Sequence, residues 1–449
     1  MNARVPLMAA LSCLVSTIAL GQPTGSAAPR VITLREAVEL ALQHNHVVRL
    51  AALKVEEYEH EKEAARSAYF PTVRNDSSLV RVTDSQLIEI PAGGLGGAGS
   101  SLIPATPLIL NQGGKTFATS GTGLVQPLTQ LLKIKAANDV ARAEVDAARG
   151  KARSIGNDIA LKVHQLYYQI LIADARRGAV LAKIQASEDL QRERVQQVKY
   201  GSILDTDLIE SRAQSLQAKQ ELLSTELQLS DLHTQFNDAI GLPLGTTVTL
   251  DPTVTIDAEN CSREECLKLA LDAHPDVAEA RASVAKAESA VRLARYDFVP
   301  DVEAFARYSF QKDVPFLAPN FGTFGIHLSY DLFDGGRKRA TLRARHAQLA
   351  QAKENFARVS DEIEVRVQTA YNKLERTRQM VAVSQELLAL RGESRRVTAE
   401  QLTRGVVLRS LAGATVAQEL EAKALLLQSR LDYVQAADEM DQAIGRTPQ

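Results

Sequence analysis

Residues 33–42 read TLREAVELAL, and residues 262–271 read SREECLKLAL, so one pattern occurs twice at an offset of 229 residues. Identical residues continue at this offset as far as Val73. From Leu128 to Gly241 the identities continue at a smaller offset of 204 residues. Long gapless matches of this kind predict a tandem repeat, in which two copies of one structural unit fill the chain.

The change of offset sets the boundaries of the two copies. We assign the first copy to residues 33–241, the linker to 242–260 and the second copy to 261–446. The first copy holds the extra residues, and we place them in a loop at 91–123, which is rich in Gly and also contains Pro. Because insertions are tolerated at loop tips, this loop is expected to join the two strands of a hairpin at about 70–128.

The N-terminus has the features of an exported chain. Residues 1–28 contain a basic start, an apolar stretch and then small residues, which predicts a signal peptide that is cleaved at about 21–28. The apolar stretch is shorter than the ~20 residues of a membrane-spanning helix. Export brings the mature chain into an oxidising compartment, where Cys261 and Cys266 either form a disulfide or remain two small buried thiols.

Long helices are predicted in both copies. Each copy begins with a capping box, in which Thr33 or Ser262 is followed three residues later by Glu. Residues 337–391 contain neither Gly nor Pro, and apolar residues recur there every seven positions. Residues 202–240 and 157–200 are similar, and only Gly178 interrupts the latter. The seven-residue recurrence predicts that these helices pack lengthwise on partner helices.

Between the helices of the second copy, the hydrophobic period changes to two. Apolar residues alternate with polar ones at 302–310 and again at 322–332. Each run spans about ten residues, which is the length of a tilted strand that crosses a bilayer. We therefore predict a membrane hairpin at about 298–333, and the alternative is an ordinary half-buried hairpin. Pro71 and Pro300 mark the starts of the strands in the two copies.

Four strands in each chain predict an oligomer. A sheet in lipid cannot leave open edges, because lipid offers no partners for the backbone N–H and C=O groups. Two chains would give about eight strands and a barrel filled by side chains, whereas three chains would give twelve strands and room for a passage. The geometry therefore favours a homotrimer whose long helices continue the barrel into the periplasm.

At this point the sequence resembles the TolC-like outer membrane efflux protein family over about 33–446. The resemblance rests on the duplication and on several local motifs: LREAVELAL at 34–42, Tyr69-Phe70-Pro71, Phe298-Val299-Pro300, LFDGG at 332–336, Tyr200-Gly201 and Arg404-Gly405. It implies a mainly α fold with β-structure, namely a homotrimer with a 12-stranded outer-membrane β-barrel and a long periplasmic α-helical barrel. It also implies a passive exit duct for efflux or type I secretion.

The resemblance further implies the partners of the duct and the place where they dock. The partners are outer-membrane lipid, a periplasmic adaptor (membrane fusion) protein and an inner-membrane transporter. The adaptor would dock at the periplasmic tip, where Tyr200-Gly201 and Arg404-Gly405 are expected to form the turns between paired helices.

Near these turns we select Asp207, Glu210, Arg404 and Arg409 as candidate residues of the aperture. In similar proteins, acidic residues at the corresponding offsets of the second copy ring the opening. Here those two positions hold apolar residues, which weakens the expectation of a cation-selective acidic constriction. A selectivity or gating role and a solvated, charge-mixed helix end are the two interpretations of this region.

Composition and motifs exclude other classes of function. The chain has 52 Lys and Arg against 54 Asp and Glu, a net charge of −2, so no nucleic-acid partner is predicted. Common catalytic motifs are absent from the sequence, so we predict neither an enzyme nor a cofactor. His44 and His46 are a weak metal pair, and no metal site is predicted. The alternatives to the duct are a periplasmic coiled-coil adaptor or scaffold and, less favoured, a secreted enzyme.

Overall fold

The computed structural model describes residues 30–83, 87–92, 106–111, 115–253, 261–314 and 318–448. The predicted signal peptide at 1–28 lies outside these residues, as does the central part of the predicted loop at 93–105. The described chain is mainly helical and also contains a small amount of sheet.

The same order of elements occurs in both halves of the chain. The first half contains β1 (Arg30–Ile32), α1 (Leu34–His44), α2 (His46–Ser67), β2 (Thr72–Arg81), β3 (Leu87–Ile90), β4 (Leu108–Asn111), β5 (Thr116–Pro127), α3 (Leu131–Lys199) and α4 (Asp205–Ile240). The second half contains β6 (Val248–Leu250), α5 (Arg263–Ala273), α6 (Pro275–Tyr296), β7 (Asp301–Lys312), β8 (Asn320–Ser329), α7 (Arg337–Thr403) and α8 (Arg409–Ala443). Each half therefore has two short helices, a strand pair, one very long helix and a returning helix.

Polar side chains cap the short helices at the positions that the sequence indicates. The hydroxyl of Thr33 accepts the N–H of Glu36 at the start of α1, at 3.3 Å. The hydroxyl and backbone N–H of Ser262 exchange hydrogen bonds with Glu265 at the start of α5, so a complete capping box is present there. These caps satisfy first-turn N–H groups that have no partner within the helix.

Both long helices continue through glycines, including Gly178, at which the sequence suggests an interruption. Helix α3 has 69 residues and passes through Gly178, and α7 has 67 residues and passes through Gly392. At 1.5 Å per residue each helix is about 100 Å long. A glycine inside a helix costs only about 1 kcal/mol relative to Ala. Packing against neighbouring helices along the whole length outweighs that cost.

The predicted linker contains a strand. β6 pairs in parallel with β1, and Ile32 lies opposite Leu250 in this register. The hydroxyl of Tyr167 on α3 donates to the backbone carbonyls of Ile32 and Asp251, at 3.1 and 2.7 Å. Burial raises the pKa of Tyr167 to about 12. Strands of three residues carry no detectable period, which is why the sequence suggests a plain linker here.

The main sheet has four antiparallel strands in the order β2-β5-β7-β8. Part of the predicted loop at 91–123 is in fact strand, because β5 begins at Thr116 and β4 pairs with β3 in a separate ribbon. Gly and polar residues weaken the alternation in this segment, so its strands are hard to recognise from the sequence. Among the described helices, none is both long enough and apolar enough to cross a membrane.

Two hydrophobic clusters lie where the short helices meet the long ones. The larger cluster contains Tyr167 and Phe236 and joins α1, α3 and α4. The smaller cluster contains Cys266, Ile363 and Val367 and joins α5, α7 and α8. Away from these clusters the helices pack pairwise, with α3 against α4, α6 and α8, and α7 against α6 and α8.

Candidate functional site

Over β7 and β8, one face of the four-stranded sheet is apolar and exposed. The register places four residues in one row across the sheet: Val73, Leu124, Ala306 and Phe324. Phe324 is 88% exposed, and Ile326, two residues further along the same strand and on the same face, is 71% exposed. Large apolar side chains so close together on a surface are typical of contact with another apolar body or with lipid.

The opposite face of the sheet carries charged side chains of β7, together with Phe305 and Phe321. Glu303 and Arg307 on β7 point to this side, because successive residues of a strand alternate between faces. Arg307 lies opposite Thr323 on β8, and Glu303 lies opposite His327. The sheet therefore separates an apolar side from a side that suits water or polar solutes.

The four helices that adjoin the sheet all meet it at the same end of its strands. Helices α2 and α6 lead into β2 and β7, and α3 and α7 follow β5 and β8. Pro71 and Pro300 stand one residue before β2 and β7, respectively. The hydroxyl of Thr129 donates to the carbonyl of Pro300 at 2.7 Å and accepts the N–H of Val302 at 2.8 Å. These bonds hold the start of β7 to the end of the neighbouring strand β5.

The outer strands of the sheet have open edges. Within the described part of the chain, β2 and β8 form the two edges, and neither has a strand on its outer side. Such an edge presents unpaired backbone N–H and C=O groups and is a template for pairing with another chain.

At the far end of the long helices, each helix pair is joined by a turn with a glycine in the left-handed conformation. Gly201 has a φ of 66° and Gly405 a φ of 70°. The N–H of Gly201 donates to the carbonyl of Val198, and that of Gly405 donates to the carbonyl of Leu402, at 2.9 and 3.0 Å. Only glycine adopts this backbone without steric cost, so these residues end α3 and α7. Tyr200, beside the first turn, is 77% exposed.

The four candidate aperture residues have different surroundings. The carboxylate of Asp207 accepts the N–H of Leu204 at 3.3 Å and so takes part in capping α4. Glu210 accepts a hydrogen bond from Gln214 on its own helix. Arg404 and Arg409 flank the second turn, and within the described residues their guanidinium groups form no hydrogen bond or ion pair.

The two tips therefore differ in charge. Residues 401–418 contain two arginines and no acidic residue, whereas residues 197–214 contain two cations and three acidic residues. Further from the tip the arginines are paired: Arg395 bonds Glu419 at 2.6 Å, and Arg396 bonds Glu393 at 2.6 Å. Net positive charge at the tip is thus concentrated at the α7–α8 turn.

The sequence did not predict the role of one residue at the tip, Glu193. Helix α8 has no side-chain cap of its own, because Leu411 stands where α4 has Asp207. Instead, the carboxylate of Glu193 on α3 accepts the N–H of Ser410 at 2.9 Å. The two helix pairs therefore lie side by side at the tip, held by a cap that crosses from one to the other. The absent acidic residue at 411 could have indicated a missing cap, but not which residue replaces it.

A disulfide joins Cys261 and Cys266, whose Cα atoms are 5.8 Å apart. The bond spans the first turn of α5 and encloses its Ser262 cap. Cys266 is fully buried in the smaller hydrophobic cluster.

Metal ligands are not grouped in the structure. Among the described residues, no set of three or more His, Cys, Asp or Glu side chains is arranged to hold a metal ion. His44 and His46 lie at the end of α1 and the start of α2, and both are exposed.

Comparisons with known proteins agree with these features. The model of the outer membrane efflux protein family matches residues 37–242 and 266–446. A membrane protein from Pseudomonas aeruginosa superposes with a TM-score of 0.74 at 16% identity, covering 92% of this chain and 90% of that one. No curated protein sequence matches the chain.

Two further solved structures have the same fold. CusC, described as undergoing conformational changes on folding and transmembrane channel formation, has a TM-score of 0.74 at 15% identity and covers 95% of this chain and 96% of its own. The outer membrane protein VceC from Vibrio cholerae has a TM-score of 0.72 at 16% identity, with coverages of 93% and 97%.

The family match covers most of the chain and both of its halves. This family consists of outer-membrane efflux channels rather than enzymes, and the predicted resemblance is confirmed. The chain belongs to the outer membrane efflux protein family, and its place is the outer membrane.

Proposed function

We propose that three copies of this chain form a passive exit duct through the outer membrane. The observation that carries this proposal is the amphipathic four-stranded sheet with open edges at β2 and β8. Pairing of β8 in one copy with β2 in the next would close a barrel of twelve strands with no free edge, which lipid requires. The apolar face that bears Phe324 would then contact lipid, and the face that bears Arg307 would line the passage.

The long helices would continue the passage into the periplasm. The four helices that adjoin the sheet meet it at one end of its strands, so they would extend on the same side of the membrane. Helices α3 and α7 reach about 100 Å from that end. Three copies would place six such helices and their returning partners around one tubular space, as an α-helical barrel.

The tip would dock a periplasmic adaptor and, through it, an inner-membrane transporter. Exposed apolar side chains surround both turns and support this assignment: Tyr200, Leu204, Ile209, Val406 and Leu411 are 50–77% exposed. Such groups are costly to leave in water and suit a protein partner. The duct itself would move substrates without chemistry, and the transporter would supply the energy for efflux or type I secretion.

Membrane fractionation followed by gel electrophoresis of boiled and unboiled samples tests the duct. We expect a detergent-requiring outer-membrane species that migrates at about three times the chain mass until it is boiled. A periplasmic species that is soluble without detergent would contradict the proposal and would favour the coiled-coil scaffold.

We further propose that Asp207, Glu210, Arg404 and Arg409 lie at the periplasmic aperture and that their charges set its ion selectivity. Within the described chain neither arginine is neutralised and neither carboxylate forms an ion pair, so a trimer would bring six positive and six negative charges together. Charged rings in a constriction raise the local concentration of ions of opposite sign, so changing one set of charges shifts the selectivity.

Single-channel recording in a salt gradient tests the aperture. The exchange Arg404→Glu is expected to shift the reversal potential towards cation selectivity, and Asp207→Ala is expected to shift it slightly towards anions. Arg376→Glu, an equal change of charge far from the tip, is the control. Reversal potentials equal to that of the control would contradict the aperture assignment.

A further inference from the structure

Helix α2 has an uncovered side, unlike its counterpart α6. Helix α6 packs between α3 and α7 and has six buried residues. Helix α2 is equally long, packs along α3 and has no buried residue. Its outer side exposes Leu50 and Leu53, which are 66% and 52% accessible. The repeat therefore leaves α2 without the second long helix that α6 has.

The uncovered side of α2 is acidic near the sheet. Residues 56–63 contain five glutamates and one lysine: Glu56, Glu57, Glu59, Glu61, Glu63 and Lys62. Glu59 pairs with Arg149 on α3, so this carboxylate belongs to the packed side. Glu63 meets only His60 of its own helix, at 3.2 Å, within the described structure. Glu57 pairs with Lys54 on the same helix, at 2.7 Å, and Glu56 lies 3.8 Å from His60. The segment still has more carboxylates than cations, and such like-charged neighbours destabilise an isolated helix.

Helix α7 is basic in the corresponding region. Residues 335–353 contain no acidic residue and six cations: Arg337, Lys338, Arg339, Arg343, Arg345 and Lys353. Arg337 and Lys338 share Asp331, at 3.6 and 3.5 Å. Arg339 and Arg343 are exposed, one turn apart, and form no ion pair in the described part of the chain. Cations in the first turns of a helix also oppose its dipole, so this segment lacks an anionic partner.

The two charged segments lie at the same depth below the sheet. Helix α2 runs towards the sheet and α7 runs away from it, so the two helices would meet antiparallel. Glu63 lies about 6 Å from the end of α2 and Arg343 about 9 Å from the start of α7, at 1.5 Å per residue. Further from the sheet, Arg49 on α2 and Glu354 on α7 both lie about 26 Å from the helix ends that adjoin the sheet. At this depth the positive charge is on α2 and the negative charge on α7.

The chain itself contains a template for this contact. Helices α3 and α6 are the equivalents of α7 and α2, and they pack against each other within one copy of the protein. Arg292 on α6 pairs there with Asp139 on α3, at 3.6 Å. At the two repeat offsets, Arg292 corresponds to Glu63 and Asp139 corresponds to Arg343. Within one chain the short helix carries the positive charge and the long helix the negative one. In the pair of Glu63 and Arg343 the short helix carries the negative charge and the long helix the positive one.

We propose that α2 of one copy packs antiparallel against α7 of the next copy, with an ion pair between Glu63 and Arg343. This inference rests on the proposed assembly, because pairing β8 with β2 of the next copy brings these two helices together. The reversed polarity makes the junction between copies distinct from the junction within a copy. Pairing of α2 with a second α3 would place Glu63 against Asp139, so wrong partners are repelled.

Charge exchange in the full-length protein in detergent tests the junction. The single changes Glu63→Arg and Arg343→Glu are each expected to lower the oligomer association constant by at least about tenfold, because a two- to fivefold effect recurs at every junction. The double change E63R/R343E is expected to restore most of the oligomer. Native mass spectrometry gives the fraction of oligomer as a function of protein concentration.

Arg376→Glu is the matched control, because it makes the same change on an exposed part of α7 that lies beyond the reach of α2. If both single variants behave as this control, or if the double variant is not rescued, the junction is overturned. An oligomeric, conducting wild type in that case would leave the proposed duct intact. A monomeric wild type would instead refute the duct.

Discussion

His274 and Asn45 occupy equivalent positions in the two copies, and each side chain caps the helix that follows it. The side-chain oxygen of Asn45 accepts the N–H of Val47 at 2.9 Å, and Nδ1 of His274 accepts the N–H of Asp276 at 3.1 Å. Only a neutral imidazole can accept this bond. Burial lowers the pKa of His274, which keeps the ring neutral in the folded chain.

The cap at His274 makes stability depend on pH. The folded pKa lies below the unfolded value of about 6.5, so the unfolded chain binds more protons between the two. The contribution is therefore complete above about pH 6.5 and is lost as the pH falls through the folded pKa. His274→Asn retains a cap and removes the titration, so acidification should lower the unfolding free energy of the wild type relative to that of the variant.

Urea unfolding of both proteins at about pH 7.5 and 5.5 measures this difference, since that interval includes the ordinary pKa of His. A difference that stays constant over the interval would contradict the role of His274.

At the scale of elements, the two returning helices begin with different caps. Helix α4 uses Asp207 from its own first turn, and α8 uses Glu193 from α3. Glu193 also has a buried second oxygen without a hydrogen-bond partner in the described structure. The acceptor for N–H groups at the helix start therefore comes from the same helix in the first repeat. In the second repeat it comes from a neighbouring helix pair.

Glu193→Ala is expected to destabilise the first turns of α8 by about 1 kcal/mol, because the N–H of Ser410 loses its acceptor. Adding Leu411→Asp should restore the helix start, since it recreates the arrangement of α4. Hydrogen exchange of the amides at 409–413 is the measurement, and Asp207→Ala on α4 is the comparison. Unchanged exchange in Glu193→Ala would refute the cap.

The sequence predicted the elements whose pattern is long and periodic. The repeat, the long helices and the second hairpin followed from recurrences of seven and two residues over many positions. It did not predict β1, β6, β3 or β4, which are three or four residues long and offer no period to detect. The sequence suggested an interruption at Gly178 that the structure does not have, because packing along the helix, which the sequence does not display, outweighs the local cost of a glycine.

At the site, conformation was easier to predict than contact. Gly201 and Gly405 were recognisable because a tight turn between helices requires a left-handed residue. Glu193 was not, since its partner Ser410 lies 217 residues away in the sequence. A charged residue on a long helix looks the same whether it faces water or caps a neighbouring helix.

At the scale of the whole molecule, a buried polar cluster joins the two sequence repeats of one chain. Asp438 on α8 accepts the hydroxyl of Tyr168 at 2.9 Å and lies 2.7 Å from Nδ1 of His164, both on α3. His164 is fully buried, and its Nε2 atom has no partner among the described residues. The burial of this cluster and the charge of Asp438 also raise the pKa of Tyr168.

Asp438→Ala is expected to lower the unfolding free energy by about 3 kcal/mol, because it removes the charged partner that the buried Tyr168 hydroxyl and His164 ring share. The cluster connects a helix of the first repeat to a helix of the second repeat. In the variant, the two repeats of one chain should therefore unfold less cooperatively than in the wild type. Calorimetry of the variant should show a lower and broader transition, whereas Asp231→Ala, on the exposed side of α4, should not. Equal transitions in the two variants would contradict this role.

The matched lengths of the helices have a consequence for the distance that the protein can bridge. Helices α3 and α7 have 69 and 67 residues, and α4 and α8 have 36 and 35, so the two turns end almost level. Deleting seven residues from each of the four helices would keep the seven-residue pattern of apolar contacts between them. It would shorten the distance from the sheet to the turns by about 10 Å. Deleting them from one pair alone would leave a stepped rim. The number of heptads in the long helices therefore sets the distance between the sheet and the tip.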